Sequence, residues 1–188
     1  MWVIDKSFEF CYGHRVWTQK LNEELSCNVG CKCKHLHGHQ GTIKVHLRGS
    51  ELDERGMFVD FNELNWFKKW VDDTLDHKMI LDINDPALKH LFPILDGPGF
   101  PDNAERVDLM CQYHSTGHYT IWQDHYQHAP TCEREIYEGL ILVPFVPTSE
   151  NLSKWIFEII QKKMLGICEV HSIEFFETPK SRSVFYND

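Results

Sequence analysis

The chain contains the stretch His37-Gly38-His39-Gln40-Gly41-Thr42-Ile43-Lys44-Val45-His46-Leu47-Arg48, in which apolar and polar side chains alternate from residue 43 onward. In a β-strand, side chains two residues apart lie on the same face. His37 and His39 have the same parity as the apolar side chains, so a strand that begins this early carries both imidazoles on its buried face. Two histidines at this spacing can bind one Zn²⁺, and a third protein ligand leaves one position open for water or substrate.

A candidate for the third ligand lies at the end of another predicted strand, residues 2 to 14. Phe8, Phe10 and Tyr12 share one face of that strand, and His14 has the same parity. Two interpretations remain open at this point. His14 is either a polar surface residue at a strand end or the third zinc ligand.

Two helices are predicted from their sequence patterns. The first follows Asp60 and Glu63, which resemble a capping box, and its apolar side chains recur at helical spacing until Asp76-His77. The second begins at Pro147-Thr148-Ser149-Glu150-Asn151, where Thr148 or Ser149 can provide the N-cap.

The remaining regular elements are two strands, residues 170 to 177 and 182 to 186, on either side of a turn at Pro179. A further short strand is predicted at Leu140–Val143. The order of the main elements therefore predicts an α+β fold, in which an antiparallel sheet is covered on one face by two helices.

The length of 188 residues predicts a single domain, residues 1–188, with a long insertion at approximately 82–147 that contains many prolines and glycines. The formal net charge of −9 argues against general nucleic-acid binding and against binding to anionic membranes. The first residues form no apolar segment, and no apolar run approaches the roughly 20 residues of a membrane span. We therefore expect a cytoplasmic location, in which the seven cysteines are reduced or metal-bound.

The insertion contains six potential metal ligands in mirrored spacings. They are Cys111, His114, His118, His125, His128 and Cys132. A second metal site is one interpretation. We favour the other, that these residues pack the insertion or are simply exposed. The insertion itself is expected to pack at a subunit edge or over the pocket mouth, because it is too apolar for a free loop. The apolar residues in question are Leu109, Met110, Tyr113, Tyr119, Ile121, Trp122 and Tyr126.

Six short motifs, taken in order, resemble those of the 6-pyruvoyltetrahydropterin synthase and 6-carboxytetrahydropterin synthase family. Together they cover roughly two-thirds of the chain, nearly everything outside the insertion. The motifs are Phe8-x-Phe10 with His14, Cys33-x3-His37-Gly38-His39, Gly56-Met57-x-Val59-Asp60-Phe61, Leu75-Asp76-His77, Pro147-Thr148-Ser149-Glu150-Asn151 and Glu177-Thr178.

The resemblance implies a tunnelling fold, an antiparallel four-stranded sheet with two helices on one face and here a long insertion between the helices. In that family, subunits join edge to edge into trimers, and two trimers stack into a hexamer. The resemblance also implies one Zn²⁺ bound by His14, His37 and His39.

The resemblance further implies a reactive cysteine that works with the pair Asp76 and His77. The spacing of Cys33 before His37 is similar to that of the carboxy branch of the family, whereas Cys31 has the spacing of the pyruvoyl branch. Glu177 is implied to anchor the amino-pyrimidine edge of a pterin, because a carboxylate accepts two parallel N–H bonds. Thr148 is a second implied substrate contact.

The implied function is that of a zinc-dependent carbon–carbon lyase. It converts 7,8-dihydroneopterin triphosphate to 6-carboxy-5,6,7,8-tetrahydropterin, releasing acetaldehyde and triphosphate, on the way to 7-deazaguanine compounds such as queuosine. The alternative is a 6-pyruvoyltetrahydropterin synthase, which eliminates triphosphate without cleaving a carbon–carbon bond. Two further alternatives are a non-catalytic pterin-binding protein of the same fold and a structural zinc protein.

Overall fold

The computed structural model describes residues 1–20, 32–95, 107 and 109–187. Within these ranges the strands are β1 (Trp2–His14), β2 (His37–Gly49), β3 (Lys78–Asp82), β4 (Cys111–Tyr113), β5 (Tyr119–Ile121), β6 (Leu140–Val143), β7 (Glu169–Thr178) and β8 (Ser181–Tyr186). The α-helices are α1 (Asn65–Thr74), α2 (Leu88–Leu91), α3 (Gln123–Tyr126), α4 (Thr131–Glu138) and α5 (Ser149–Met164). Short 3₁₀ helices lie at Trp17–Lys20, Lys32–Lys34, Phe61–Leu64 and Pro93–Leu95.

The strands of the described residues form one sheet of eight in the order β4-β5-β6-β3-β1-β2-β7-β8. The predicted α+β class is confirmed, but the predicted four-stranded sheet is wrong. The four expected strands are β1, β2, β7 and β8. Strand β6 was expected only as a short separate strand. In the structure it pairs in parallel with β3, with Ile80 opposite Ile141. The β4–β5 hairpin adds the last two strands.

The chain forms two compact units, of which the first comprises Met1–Tyr12, His39–Asp76 and Thr148–Asp188. In this unit β2 and β7 pair antiparallel, with Ile43 opposite Phe175 and Val45 opposite Ile173. All four side chains are at most 1% exposed, so the alternation seen in the sequence does mark the buried face.

Helix α5 and the 3₁₀ turn that leads into α1 each begin at a side chain that accepts a backbone hydrogen bond. Asp60 caps the 3₁₀ turn that leads into α1, and its carboxylate accepts the N–H of Asn62 at 2.8 Å. Thr148 caps α5 and accepts the N–H of Asn151 at 3.3 Å. These contacts satisfy donors that a helix start leaves unpaired, which is why each helix begins where its sequence predicts.

The second unit comprises Gly13–Gly38 and His77–Pro147. It has a hydrophobic core of its own, to which strands β3 to β6 and the short helices contribute. The core residues include Leu81, Leu88, Leu95, Cys111, Ile121, Tyr126, Tyr137, Leu140 and Leu142. The described part of the insertion is therefore packed, as its apolar content indicated, although Leu109, Tyr113 and Trp122 remain exposed.

None of the helices in the described part of the chain has both the length and the apolar character that crossing a membrane requires.

Candidate metal and pterin site

His14 is the last residue of β1 and is only 1% exposed. Its Nδ1 atom lies 2.7 Å from the carbonyl oxygen of Pro147. A carbonyl oxygen can only accept, so Nδ1 must donate, and in the neutral ring the lone pair then belongs to Nε2. A backbone carbonyl that fixes one ring nitrogen in this way is the usual partner of a metal-binding histidine.

His37, the first residue of β2, has the same arrangement. Its Nδ1 atom lies 2.7 Å from the carbonyl oxygen of His35, so its Nε2 atom also carries the lone pair. The ring centroids of His14 and His37 are 4.5 Å apart. Gly13, next to His14, packs against the flexible end of the Met79 side chain, where an added Cβ atom would lie 2.6 Å from Cε.

His39 completes a group of three histidines. One ring nitrogen from each of His14, His37 and His39 lies within 4.8 Å of the other two. Three neutral imidazoles that converge in this way form the donor set of a zinc site with one open coordination position. The residues present therefore fit the Zn²⁺ ion that the family resemblance implies for them, and its binding there stays a prediction.

Cys33, the expected reactive thiol, lies in the 3₁₀ turn Lys32–Lys34 and is exposed. Its carbonyl oxygen accepts the backbone N–H of Val16 at 2.8 Å, which ties the turn to the segment that follows β1. The alternative thiol, Cys31, lies outside the described residues, so the choice between the two cysteines stays a prediction.

Asp76 and His77 follow α1 and form a group with Cys11, in which one ligand atom from each residue lies within 4.8 Å of the others. Asp76 Oδ1 also accepts the backbone N–H of Cys11 at 2.8 Å. His77 has a φ angle of 58°, an uncommon conformation for a residue with a side chain. Sequence reasoning missed Cys11, because the contact joins residues 65 positions apart and no local pattern marks it.

Glu177 lies near the end of β7 and is half-buried. The Tyr12 side chain interacts with both Glu177 and His39. Burial and the charge of Glu177 raise the pKa of the Tyr12 hydroxyl, and the rings of Tyr12 and His39 have centroids 5.7 Å apart. The Tyr12 side chain therefore contacts the ring of His39 and is influenced by the charge of Glu177.

Strand geometry separates the Asp76 group from His39. Cys11 and Tyr12 are consecutive residues of β1, so their side chains point to opposite faces of the strand. Cys11 is grouped with Asp76, and Tyr12 contacts His39. Within one chain, therefore, the structure brings together the three histidines and, separately, the Asp76–His77 pair with Cys11.

The six cysteines and histidines of the insertion do not converge on a common point. Over the described residues, which include all six, no three of them form a group with ligand atoms close together. His114 and His118 stack with ring centroids 4.4 Å apart, and His125 contacts the carbonyl oxygen of Leu109 at 2.8 Å. Cys111 and His118 are buried, whereas His125, His128 and Cys132 are exposed, and the role of these residues stays a prediction.

A family model described as 6-pyruvoyl tetrahydropterin synthase matches residues 3–188. The chain belongs to the 6-pyruvoyl tetrahydropterin synthase family. The resemblance drawn from the six motifs is thereby confirmed, and the match extends through the insertion as well as the motif-bearing regions.

Individual proteins are also similar to this chain, and two of the three described here are named as tetrahydropterin synthases. A 6-carboxy-5,6,7,8-tetrahydropterin synthase from Aquifex aeolicus is 27% identical over 197 residues, which span 98% of this chain and 97% of that protein. An uncharacterized protein from Wolinella succinogenes has a crystal structure with a TM-score of 0.86 and 41% identity, covering 100% of this chain and 98% of that one. The 6-pyruvoyl tetrahydropterin synthase of Caenorhabditis elegans shares the fold, with a TM-score of 0.53, 20% identity and coverage of 100% and 96%.

Proposed function

We propose that the protein is a zinc-dependent pterin synthase that converts 7,8-dihydroneopterin triphosphate and water into 6-carboxy-5,6,7,8-tetrahydropterin, acetaldehyde and triphosphate. The observation that carries the proposal is the convergence of three histidines in a chain of the 6-pyruvoyl tetrahydropterin synthase family. The full-length similarity to a 6-carboxy-5,6,7,8-tetrahydropterin synthase supports the carboxy product. Such a product is a precursor of 7-deazaguanine compounds such as queuosine.

In this proposal His14, His37 and His39 hold the metal ion. Bound there, Zn²⁺ would lower the pKa of a substrate hydroxyl and polarise a developing carbonyl group. The backbone carbonyls of Pro147 and His35 keep two of the rings in the tautomer that metal binding needs. The protein therefore orients the rings of His14 and His37 before a metal ion binds.

The remaining groups supply proton transfer and substrate orientation. Cys33, as the thiolate, removes a proton from the substrate side chain beside the ring, and His77, oriented by Asp76, carries the second proton. Glu177 accepts the N–H groups of the pterin's amino-pyrimidine edge. Thr148 is the weaker candidate for a substrate contact, because its hydroxyl already accepts the N–H of Asn151 as a helix cap.

The proposal includes assembly into a homo-oligomer, with a hexamer of two trimers expected from the family. Two observations support it. Strands β4 and β8 form the two edges of the sheet over the described residues, and unpaired edges favour association. Asp76 and His77 also group with Cys11 rather than with the three histidines, and in the proposed oligomer the Asp76–His77 pair of another copy completes the site.

The alternative function is 6-pyruvoyltetrahydropterin synthase, in which the reaction stops after elimination of triphosphate and isomerisation. A decisive experiment incubates the zinc-loaded protein with 7,8-dihydroneopterin triphosphate and identifies the products by mass spectrometry, with acetaldehyde trapped as a hydrazone. Acetaldehyde together with 6-carboxytetrahydropterin is the expected result. A pyruvoyl product without acetaldehyde would support the alternative, and no conversion of the substrate would leave only a pterin-binding role.

A further inference from the structure

Two buried carboxylates hold the segment that follows β1. The Nε atom of Arg15 lies 2.8 Å from Oδ2 of Asp85, an ion pair whose geometry is not that of a linear hydrogen bond. The indole N–H of Trp17 donates to Oδ2 of Asp82 at 2.8 Å. Asp82 is 3% exposed and Asp85 is 0% exposed, so both acids are removed from water.

This segment joins two residues of the proposed site. Arg15 directly follows His14, and the backbone N–H of Val16 donates to the carbonyl oxygen of Cys33 at 2.8 Å. Any shift of the segment therefore moves a proposed metal ligand at one end. The same shift also moves the turn that carries the proposed reactive thiol.

The two carboxylates are themselves fixed by the backbone around them. Asp82 ends β3 opposite Val143, and its Oδ1 atom accepts the backbone N–H of Asn84 at 2.9 Å and the side-chain amide at 3.1 Å. Asp85 Oδ1 accepts the N–H of Ala87 at 2.9 Å. Burying a carboxylate costs free energy unless it is paired, and here the pairing is directional at each oxygen named.

We propose that Asp82 and Asp85 are positioning residues for the pterin synthase reaction, which hold Arg15–Trp17 so that His14 and Cys33 keep their relative positions. The inference rests on the proposed function, because it takes His14 as a metal ligand and Cys33 as the reactive thiol. The inference gives Asp82 and Asp85 a role, although neither residue is proposed to contact the metal or the substrate.

The experiment uses a double-mutant cycle of Trp17→Phe and Asp82→Asn. Trp17→Phe removes one N–H and keeps an aromatic ring, and Asp82→Asn replaces one of two accepting oxygens with a donor. We expect each single variant to weaken zinc binding and to lower kcat by about 10- to 100-fold with KM little changed, as seen for groups that orient metal ligands. The double variant should be no worse than the poorer single variant, because both remove the same contact.

The visible absorption of bound Co²⁺ provides a readout that does not depend on turnover. A shifted spectrum in Trp17→Phe and Asp82→Asn would report altered ligand geometry, whereas a role limited to stability would leave the spectrum and kcat unchanged and lower only the resistance to urea. Trp122→Phe, an exposed tryptophan of the insertion, is the matched control and should behave as the unmodified protein. If Asp82→Asn fails to fold, Trp17→Phe alone still tests the inference.

The result that would overturn the inference is unaltered zinc affinity, Co²⁺ spectrum and kcat in folded Trp17→Phe and Asp82→Asn. Failure of the proposed function looks different. In that case the unmodified protein forms no pterin product, while the metal affinities of the variants still report whether Asp82 positions His14.

Discussion

The Nδ1 atom of His14 lies 2.7 Å from the carbonyl oxygen of Pro147, a residue 133 positions further along the chain. The sequence motif around Pro147 indicates only a helix start with a nearby substrate contact. Its carbonyl oxygen also fixes which ring nitrogen of His14 carries the proton, and so makes Nε2 the donor atom for a metal. The motif that begins helix α5 therefore also orients the ring of His14, which lies on a strand far away in the sequence.

The first prediction concerns metal content. His37→Ala should lower bound zinc from one equivalent per chain to a small fraction, because two imidazoles without the third form a much weaker site. Activity should fall together with zinc content. Elemental analysis of the purified variant measures this directly, and His128→Ala, an exposed histidine of the insertion, is the control. Full zinc occupancy in His37→Ala would refute the ligand assignment.

The second prediction separates the thiols. Cys33→Ala should bind zinc and fold normally but lose about 10²- to 10⁴-fold in turnover, the contribution typical of a positioned acid or base. Cys11→Ala should be far less affected, because Asp76 contacts the backbone N–H of Cys11, which alanine retains. Cys132→Ala, an exposed cysteine of the insertion, is the control.

The same series also tests the branch of the family. An inactive Cys31→Ala beside an active Cys33→Ala would show that the reactive thiol has the spacing of the pyruvoyl branch. That result would contradict both the thiol assignment and the proposed carboxy product. Site-resolved alkylation by iodoacetamide, followed by mass spectrometry, provides an independent measurement of which cysteine reacts fastest.

The parts of the fold that the sequence predicts are those with a simple periodicity. In strand β2, buried side chains alternate with more exposed ones. Thr148 caps α5 as its motif indicates. Strand β3 escapes prediction because Lys78–Asp82 is a run without alternation, as expected for a strand in a parallel pair that is buried on both faces. Strands β4 and β5 have three residues each, which is too short for any period to appear.

The sequence likewise predicts only part of the candidate site. Shared parity places His37 and His39 on one face and makes His14 a candidate, and the structure groups all three. No sequence pattern predicts the contact of Cys11 with Asp76. The same holds for the interactions of Arg15 and Trp17 with their buried carboxylates. They depend on which strand neighbours which in the sheet, and that order follows from the packing of the whole chain.

A third prediction tests the pterin anchor. Glu177→Gln replaces an accepting oxygen with an N–H donor that faces the N–H groups of the ring. Binding of the pterin substrate should weaken by about 10- to 100-fold, the value of a lost charge-assisted hydrogen bond or two, with zinc content unchanged. Quenching of pterin fluorescence measures the affinity. Glu158→Gln, an exposed position on α5, should bind normally, and unchanged affinity in Glu177→Gln would remove this residue from the site.

A fourth prediction concerns assembly. In the proposed oligomer, in which two chains build each site, His37→Ala and His77→Ala would impair different halves of that site. Each variant alone should be inactive, and a mixture that is unfolded and refolded together should regain activity in a fraction of its sites. Turnover by the mixture is the measurement. Activity that stays absent in correctly assembled mixed oligomers would show that each chain carries a complete site.

The last prediction concerns pH and the stacked histidines of the insertion. His118 is 4% exposed, and its Nδ1 atom lies 3.0 Å from the hydroxyl of Thr116. Burial, and then the neighbouring His114, lower the pKa of His118 from 6.5 to about 4. The unfolded chain therefore binds this proton more readily than the folded chain, so the free energy of unfolding should fall as pH drops from 6.5 towards 4 and be fully present above 6.5. The loss at pH 4 should be about 3 kcal/mol, since the pKa falls from 6.5 to about 4 and each pKa unit corresponds to about 1.4 kcal/mol.

Urea unfolding at several pH values, at one protein concentration, measures this contribution. His118→Asn retains a polar group that can reach Thr116 but does not titrate, so its free energy of unfolding should decline less steeply between pH 6.5 and 4 than that of the unmodified protein. The other histidines are present in both proteins, so any effect they have cancels in the difference. His128→Asn, at an exposed position, should keep the full pH dependence. Equal slopes for His118→Asn and the unmodified protein would show that His118 is not held neutral by the fold.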